Sequence, residues 1–138
     1  MSTEDNKALV RRAFDALNQR NWASFYELVA PEIALHNAST TILGLEAYKQ
    51  FLSVYYTAYP DLHFNVEDPI AEGDTVVTRY TAQGTHQGDL MGIAPTGKQV
   101  SVTNILITRI ANDKAVEQWL NFDALGMLQQ LGVVPSMG

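Results

Sequence analysis

The first part of the chain carries apolar residues at helical spacing. Between residues 5 and 19 they recur every three or four positions, with charged residues on the opposite face, which predicts an amphipathic helix. Trp22, Phe25 and Leu28 continue this spacing and predict a second, short helix. Pro31 ends that helix, because proline disfavours the helical conformation in the residue before it.

A short strand and a third helix follow. Ile33 and Leu35 alternate with polar or small residues and predict the strand, while the helix is predicted between Gly44 and Pro60. Aromatic side chains form one stripe along this helix: Tyr48, Phe51, Tyr55 and Tyr59. The stripe fits ordinary core packing, but buried tyrosine hydroxyls need partners, and Tyr55 or the neighbouring Tyr56 is a candidate to present its hydroxyl to a ligand.

Apolar and polar residues alternate with a period of two from residue 62 onward, which predicts strands. The predicted strands span 62–66, 75–86, 100–110 and 115–122. A tight turn at 72–74 precedes the second of them, and a glycine-rich loop over 87–97 leads to the third. A short helix over about 124–131 ends at Gly132, a residue type that commonly follows a helix C-terminus.

Helices that precede a run of strands are typical of an α+β fold in which helices cover one face of the sheet. The length of 138 residues fits a single domain over 1–138. We therefore expect a curved antiparallel sheet with three N-terminal helices on its concave face and a short C-terminal helix. A pocket is expected between these two layers.

Composition and charge narrow the choice of partners. The chain has nine Lys and Arg against fifteen Asp and Glu, for a net charge of −6, so nucleic acid and anionic membranes are not expected partners. It has no cysteine, which excludes disulfides and thiolate metal sites and fits a cytoplasmic protein. No apolar run has the roughly 18 residues of a membrane span, and the polar N-terminus does not read as a secretion signal.

The last predicted strand carries the candidate acid/base group. Trp119, Asn121 and Asp123 share one face of a strand, because alternate residues point the same way. A carboxylate in an apolar pocket has a raised pKa, which suits a general base near neutral pH, and Asn121 is a candidate donor to an enolate oxygen. Asp123 also stands where the N-cap of the final helix belongs, and Trp119 fits either a pocket wall or the core.

Other polar residues are candidates for substrate binding. Asn104 lies in the middle of the longest strand, where a buried amide needs a structural partner or a pocket ligand. His36 follows the first strand and can reach a pocket rim, and His86 stands at the start of the glycine-rich loop. The histidines share no metal-ligand spacing, so no metal site is expected.

Ordered segments in the second half of the chain carry a resemblance to a known family. These are 59–62, 73–79, 84–88, 91–98, 119–123 and 128–132. Their order and spacing resemble the SnoaL-like polyketide cyclase group, also called ester cyclases. That group belongs to the nuclear-transport-factor-like superfamily, together with ketosteroid isomerase.

The resemblance implies a cone-shaped α+β fold with an apolar pocket, usually dimeric, that works without a metal or cofactor. In the cyclases an aspartate on the last strand removes a proton next to a carbonyl group and later returns one. The matching residue here is Asp123. The cyclases also carry a pocket histidine at the position that corresponds to Leu106, so this chain departs from their pattern.

Two main functions follow from these observations. The first is a cofactor-free acid/base enzyme, whether cyclase, isomerase or dehydratase-type lyase, that acts on a small hydrophobic carbonyl compound and uses Asp123. The second is a non-catalytic module that binds a small molecule or forms a dimer. A third, epoxide hydrolysis, needs a water held by an Asp, Arg and Asn set, and Arg79 has no evident partner for it.

Overall fold

The computed structural model describes residues 2–134, which contain four α-helices. The helices are α1 (Thr3–Asn18), α2 (Trp22–Glu27), α3 (Leu45–Ala58) and α4 (Ala124–Leu131). Ser2 begins α1 with a capping box: its hydroxyl accepts from the Asp5 amide, and the Asp5 carboxylate accepts from the Ser2 amide. Gly132 ends α4 in the left-handed conformation, with φ of 80°.

The strands form one mixed sheet. They are β1 (Val29–Asn37), β2 (Thr40–Leu43), β3 (His63–Val66), β4 (Ile70–Glu72), β5 (Thr75–Thr85), β6 (Gln99–Ala111) and β7 (Lys114–Asn121). Their order is β2-β1-β7-β6-β5-β3, and β4 also pairs with β5. The sheet curls without closing on itself.

The predicted elements agree with the structure except near the first strand and at β4 (Ile70–Glu72), a three-residue strand that was not predicted. The second helix ends at Glu27, and Pro31 lies inside β1 instead of ending a helix. The sequence pattern also missed β2, which is short and mostly exposed. We expected an antiparallel sheet, but β1 runs parallel to β7. All other strand pairs in residues 2–134 are antiparallel.

The core lies between the helices and the concave face of the sheet. Alternate residues of β5 and β6 are buried there, and Leu9, Ile33 and Leu131 are each at most 2 % exposed. Phe14 of α1 packs edge-on against Phe64 of β3, with ring centroids 5.8 Å apart. The helices therefore rest on aromatic and aliphatic side chains from the middle strands.

Asp61 fixes the end of β5 and makes stability depend on pH. Its carboxylate accepts hydrogen bonds from the Thr85 amide at 2.7 Å and the Thr85 hydroxyl at 2.8 Å. The Thr85 amide bond is the main reason that the pKa of Asp61 lies below its ordinary value. Because the folded-state pKa is depressed, this stabilisation is present above the unfolded-state pKa and is lost as the pH falls through the folded one.

We therefore expect Asp61→Asn to lower the free energy of unfolding at pH 6, and the deficit to shrink as the pH falls towards 3. Urea unfolding of both proteins across this range measures the difference. The exposed Asp15 supplies the control, Asp15→Asn. A deficit for Asp61→Asn that stayed constant with pH would contradict the assignment.

Candidate functional site

A cavity of about 130 Å³ lies between the helices and the concave face of the sheet. Phe14 of α1 and Tyr55 of α3 line it on the helix side, and Val102 and Leu106 of β6 line it on the sheet side. Met127 of α4 contributes to the wall near one end. Engineered cavities of comparable volume bind benzene, so this space suits a small hydrophobic molecule.

The wall of this cavity is uncharged. Among the described residues that line it, none is Asp, Glu, His, Lys or Arg. Burial raises the pKa of Tyr56 and of Tyr59 to about 12, and it raises the pKa of Tyr48 and of Tyr80 further. These phenols are therefore neutral hydrogen-bond donors at neutral pH.

A first group of buried polar side chains lies where α3 faces β6 and β7. The Tyr48 hydroxyl donates to the Gln118 Oε1 atom at 2.8 Å, and the Gln118 Nε2 atom donates to the Thr108 Oγ1 atom at 3.3 Å. All three residues line the cavity and are at most 7 % exposed. We call them the Gln118 cluster.

A second polar group lies further along β6, towards α4. Asn104 is 3 % exposed, and its Oδ1 atom accepts a hydrogen bond from the Asp123 amide at 3.3 Å. Its side chain also interacts with the hydroxyl of Tyr80, which faces it across the β5–β6 pair. Both Asn104 and Tyr80 line the cavity. We call these two residues the Asn104 cluster. Leu106 lies on the wall between the two clusters.

Asp123 sits at the start of α4 with an exposed side chain. Its Oδ1 atom accepts a hydrogen bond from the Gly126 amide at 2.9 Å, which is the geometry of a helix N-cap. The carboxylate does not line the inner cavity, and it borders a groove on the convex face of the sheet. Asp123 is thus tied to the cavity through its own amide and Asn104.

The outer groove brings together several residues that the sequence analysis singled out. Asp123, Asn121, Trp119, His36 and Arg79 all line it. We expected the face with Trp119 and Asn121 to be the pocket face, and the structure differs. Gln118, Leu120 and Phe122 of the same segment point into the cavity instead, so their neighbours point outward.

His36 lies in a polar cluster on the convex face beside this groove. Its Nε2 atom is 2.7 Å from a Glu117 carboxylate oxygen, and its ring stacks on Trp119 at a centroid distance of 5.4 Å. The hydrogen bond from His36, followed by Arg109, holds the pKa of Glu117 below its ordinary value. His36 is therefore away from the inner cavity.

His86 is fully buried, but it borders neither the cavity nor the groove. Its Nδ1 atom accepts a hydrogen bond from the Thr96 amide at 3.2 Å and lies 3.0 Å from the Thr96 hydroxyl. The ring joins β5 to the end of the glycine-rich loop. Its placement is that of a structural histidine, and the substrate-binding role stays a prediction.

Of the predicted site residues, Asn104 and Tyr55 line the inner cavity, and Asp123 is attached to it. Gln118, Tyr80 and Thr108 also line the cavity, and none of them was among the predicted site residues. The signal for them was available, because Tyr80, Asn104, Thr108 and Gln118 occupy inward positions of paired strands. Their registers, however, follow only from the folded sheet.

Residues 2–134 contain neither a candidate metal site nor a candidate membrane-spanning helix. No group of three or more His, Cys, Asp or Glu is arranged to hold a metal ion. No helix in this part of the chain is both long and apolar enough to cross a lipid bilayer.

Comparisons with known proteins place the chain in a family. The sequence profile of the SnoaL-like polyketide cyclases matches residues 7–131, whereas no curated protein matches. The structure is similar to AclR of Streptomyces galilaeus, a candidate hydroxylase, with 28% identity, coverage of 99% of this chain and 87% of that one, and a TM-score of 0.89.

Two further similar structures are of candidate polyketide cyclases. The first, from Jannaschia sp. CCS1, is a candidate SnoaL-like polyketide cyclase with 25% identity and a TM-score of 0.88. The aligned region covers 96% of this chain and 95% of that one. IdmH of Streptomyces antibioticus, a candidate polyketide cyclase, has 28% identity, coverage of 93% and 99%, and a TM-score of 0.79. With the profile match over residues 7–131, the chain belongs to the SnoaL-like polyketide cyclase family.

Proposed function

We propose that this chain is a cofactor-free acid/base enzyme that binds a small hydrophobic carbonyl compound in the inner cavity. The observation that carries the proposal is an apolar, uncharged cavity whose buried amide, Asn104, holds the backbone of Asp123. An apolar site with a few convergent polar groups is the usual form of a small-molecule site.

Asp123 is the proposed base because of its position at the cavity end of β7. In this proposal the side chain rotates away from the Gly126 amide and turns from the outer groove towards the cavity, where the carboxylate takes a proton from the carbon next to a bound carbonyl group. The electron pair of that C–H bond forms the C=C bond of an enolate while the carbonyl π pair moves onto the oxygen, to which Asn104 and Tyr80 donate hydrogen bonds. Return of the proton to a carbon restores the carboxylate.

Deuterium exchange into cyclohexanone tests this function without knowledge of the substrate. We expect the protein in D₂O to accelerate loss of the α-protons, and Asp123→Asn to reduce the accelerated rate by about 100-fold or more. Asparagine caps helices about as well as aspartate, so the variant keeps α4 intact. Proton NMR measures the rate, with the exposed turn variant Asp113→Asn as the control, and equal rates for all three proteins would reject catalysis by Asp123.

The alternative is a non-catalytic module that binds a small molecule. The uncharged cavity wall and the N-cap role of Asp123 favour it. In that case Asp123→Ala would destabilise the fold by about 1 kcal/mol through the lost cap, and no variant would change the exchange rate. Ligand binding would remain in every variant.

A homodimer through the convex face is also proposed. Ile105 is 42% exposed and Trp119 is 36% exposed on this face, where large apolar side chains are exposed to water. A stable interface buries about 800 Å² of accessible surface on each partner. We expect sedimentation to show a dimer for the native protein and a monomer for Ile105→Lys, and a native monomer would contradict it.

A cytoplasmic location stays a prediction.

A further inference from the structure

We propose that the ligand of the inner cavity carries two neutral carbonyl oxygens at opposite ends of one apolar ring. This inference rests on the proposed function, because it assumes that the cavity is the ligand site. It comes from the unused hydrogen-bond donors of the two polar clusters and from the distance between them.

The Gln118 cluster has donors left over. Its two internal hydrogen bonds use the Tyr48 hydroxyl proton and one proton of the Gln118 amide. A primary amide has two N–H donors, and a threonine hydroxyl has a proton of its own. One Gln118 N–H and the Thr108 O–H are therefore available at a buried surface of the cavity.

The Asn104 cluster has the same character. The Asn104 carbonyl oxygen is occupied by the Asp123 amide, which leaves the two N–H donors of Asn104 for Tyr80 and the cavity. The Tyr80 hydroxyl proton is a further donor, and burial keeps that proton in place. Buried polar groups are nearly always paired, so these donors call for an acceptor inside the cavity.

The acceptors must be neutral. No cationic side chain lines the cavity within the part of the chain that the structure describes, so a carboxylate or phosphate would enter without a counter-charge. A carbonyl oxygen accepts hydrogen bonds without carrying a full charge. Ketones and esters therefore fit both ends, and acids do not.

The separation of the clusters sets the spacing of the two oxygens. Asn104 and Thr108 are four residues apart on one face of β6, which places their Cα atoms roughly 13 Å apart. Leu106 keeps the intervening wall apolar. Two oxygens on opposite carbons of a six-membered ring lie about 5 Å apart. With a hydrogen bond of about 2.9 Å at each end, the donor atoms at the two ends lie roughly 11 Å apart.

Three compounds of the same ring size test this arrangement. Cyclohexane-1,4-dione has two carbonyl groups, cyclohexanone has one, and methylenecyclohexane has none. Their dissociation constants are measured by ligand-observed NMR with the native protein, with Gln118→Met, with Asn104→Leu and with the double variant. Circular dichroism checks that each variant is folded. If one is not, the milder substitutions Thr108→Val and Tyr80→Phe take the place of Gln118→Met and Asn104→Leu.

The dione needs both clusters, whereas the monoketone can turn round and use either. We expect each single variant to weaken dione binding about fivefold and the double variant about 25-fold. We expect each single variant to weaken binding of cyclohexanone about twofold, and the double variant to weaken it about fivefold. Binding of methylenecyclohexane does not change by more than about twofold.

The outcomes separate the two proposals. If all three compounds bind but the dione loses no more than cyclohexanone in the single variants, the two-ended arrangement is wrong and the cavity remains the ligand site. If none of the three binds the native protein, the proposed function itself is overturned, and this inference with it.

Discussion

Replacing Leu106 by tryptophan is expected to weaken binding of cyclohexanone about tenfold or more. Leu106 lies on the cavity wall between the two polar clusters, and an indole there occupies a large part of a volume of about 130 Å³. A ligand that loses contact with about two methylene groups of apolar wall loses about tenfold in affinity. Deuterium exchange into cyclohexanone falls with it, because the ligand no longer reaches the site.

The matched control is Thr103→Trp. Thr103 is on the same strand, but it is exposed and borders the outer groove. We expect it to leave cyclohexanone binding within about twofold of the native value, because the added ring lies on the opposite face of the sheet. If Thr103→Trp weakened binding and Leu106→Trp did not, the ligand would occupy the outer groove.

The second large effect concerns the loop that packs on the end of α3. We expect Gly88→Ala to lower the free energy of unfolding by about 3 kcal/mol, and the melting temperature by roughly 10 °C. A Cβ atom built on Gly88 would stand 2.0 Å from the Thr57 carbonyl oxygen. Relief requires moving the loop, which breaks the hydrogen bonds from the Gln87 and Gly88 amides to the Ala58 carbonyl oxygen.

Gly126→Ala is the comparison for this prediction. Its Cβ atom would also meet an oxygen closely, at 2.2 Å, but that atom is the Asp123 Oδ2 atom at the end of a side chain. The carboxylate can rotate away, and alanine gains about 1 kcal/mol of helix propensity over glycine. We expect a net change within about 1 kcal/mol, and thermal unfolding that ranked the two variants equally would contradict the backbone clash at Gly88.

Most of the secondary structure follows from local pattern. The last helix spans the predicted residues, Ala124–Leu131, because capping by Asp123 and the left-handed Gly132 fix both of its ends. The misassigned region around Pro31 has a different cause. Val29 and Ala30 fit a helix or a strand equally well, and pairing with β7 decides in favour of the strand.

The site was harder to predict, because alternation does not say which face of a strand is inside. Trp119 and Asn121 looked like pocket residues, since the polar groups lie on their face. The cavity instead takes Leu120 and Phe122, whose apolar side chains gain more from burial, together with Gln118 in its hydrogen-bonded cluster. The contact of His36 with Glu117 depends on the parallel β1–β7 pair and has no local signal.

A crystal structure with 4-bromoacetophenone would show whether the inner cavity is the ligand site. The bromine marks the position of this small aromatic ketone by anomalous scattering. We expect one bromine peak inside the cavity near Leu106, with the ketone oxygen towards Asn104 or Gln118. A peak in the outer groove beside Trp119, with the cavity unoccupied, would contradict it.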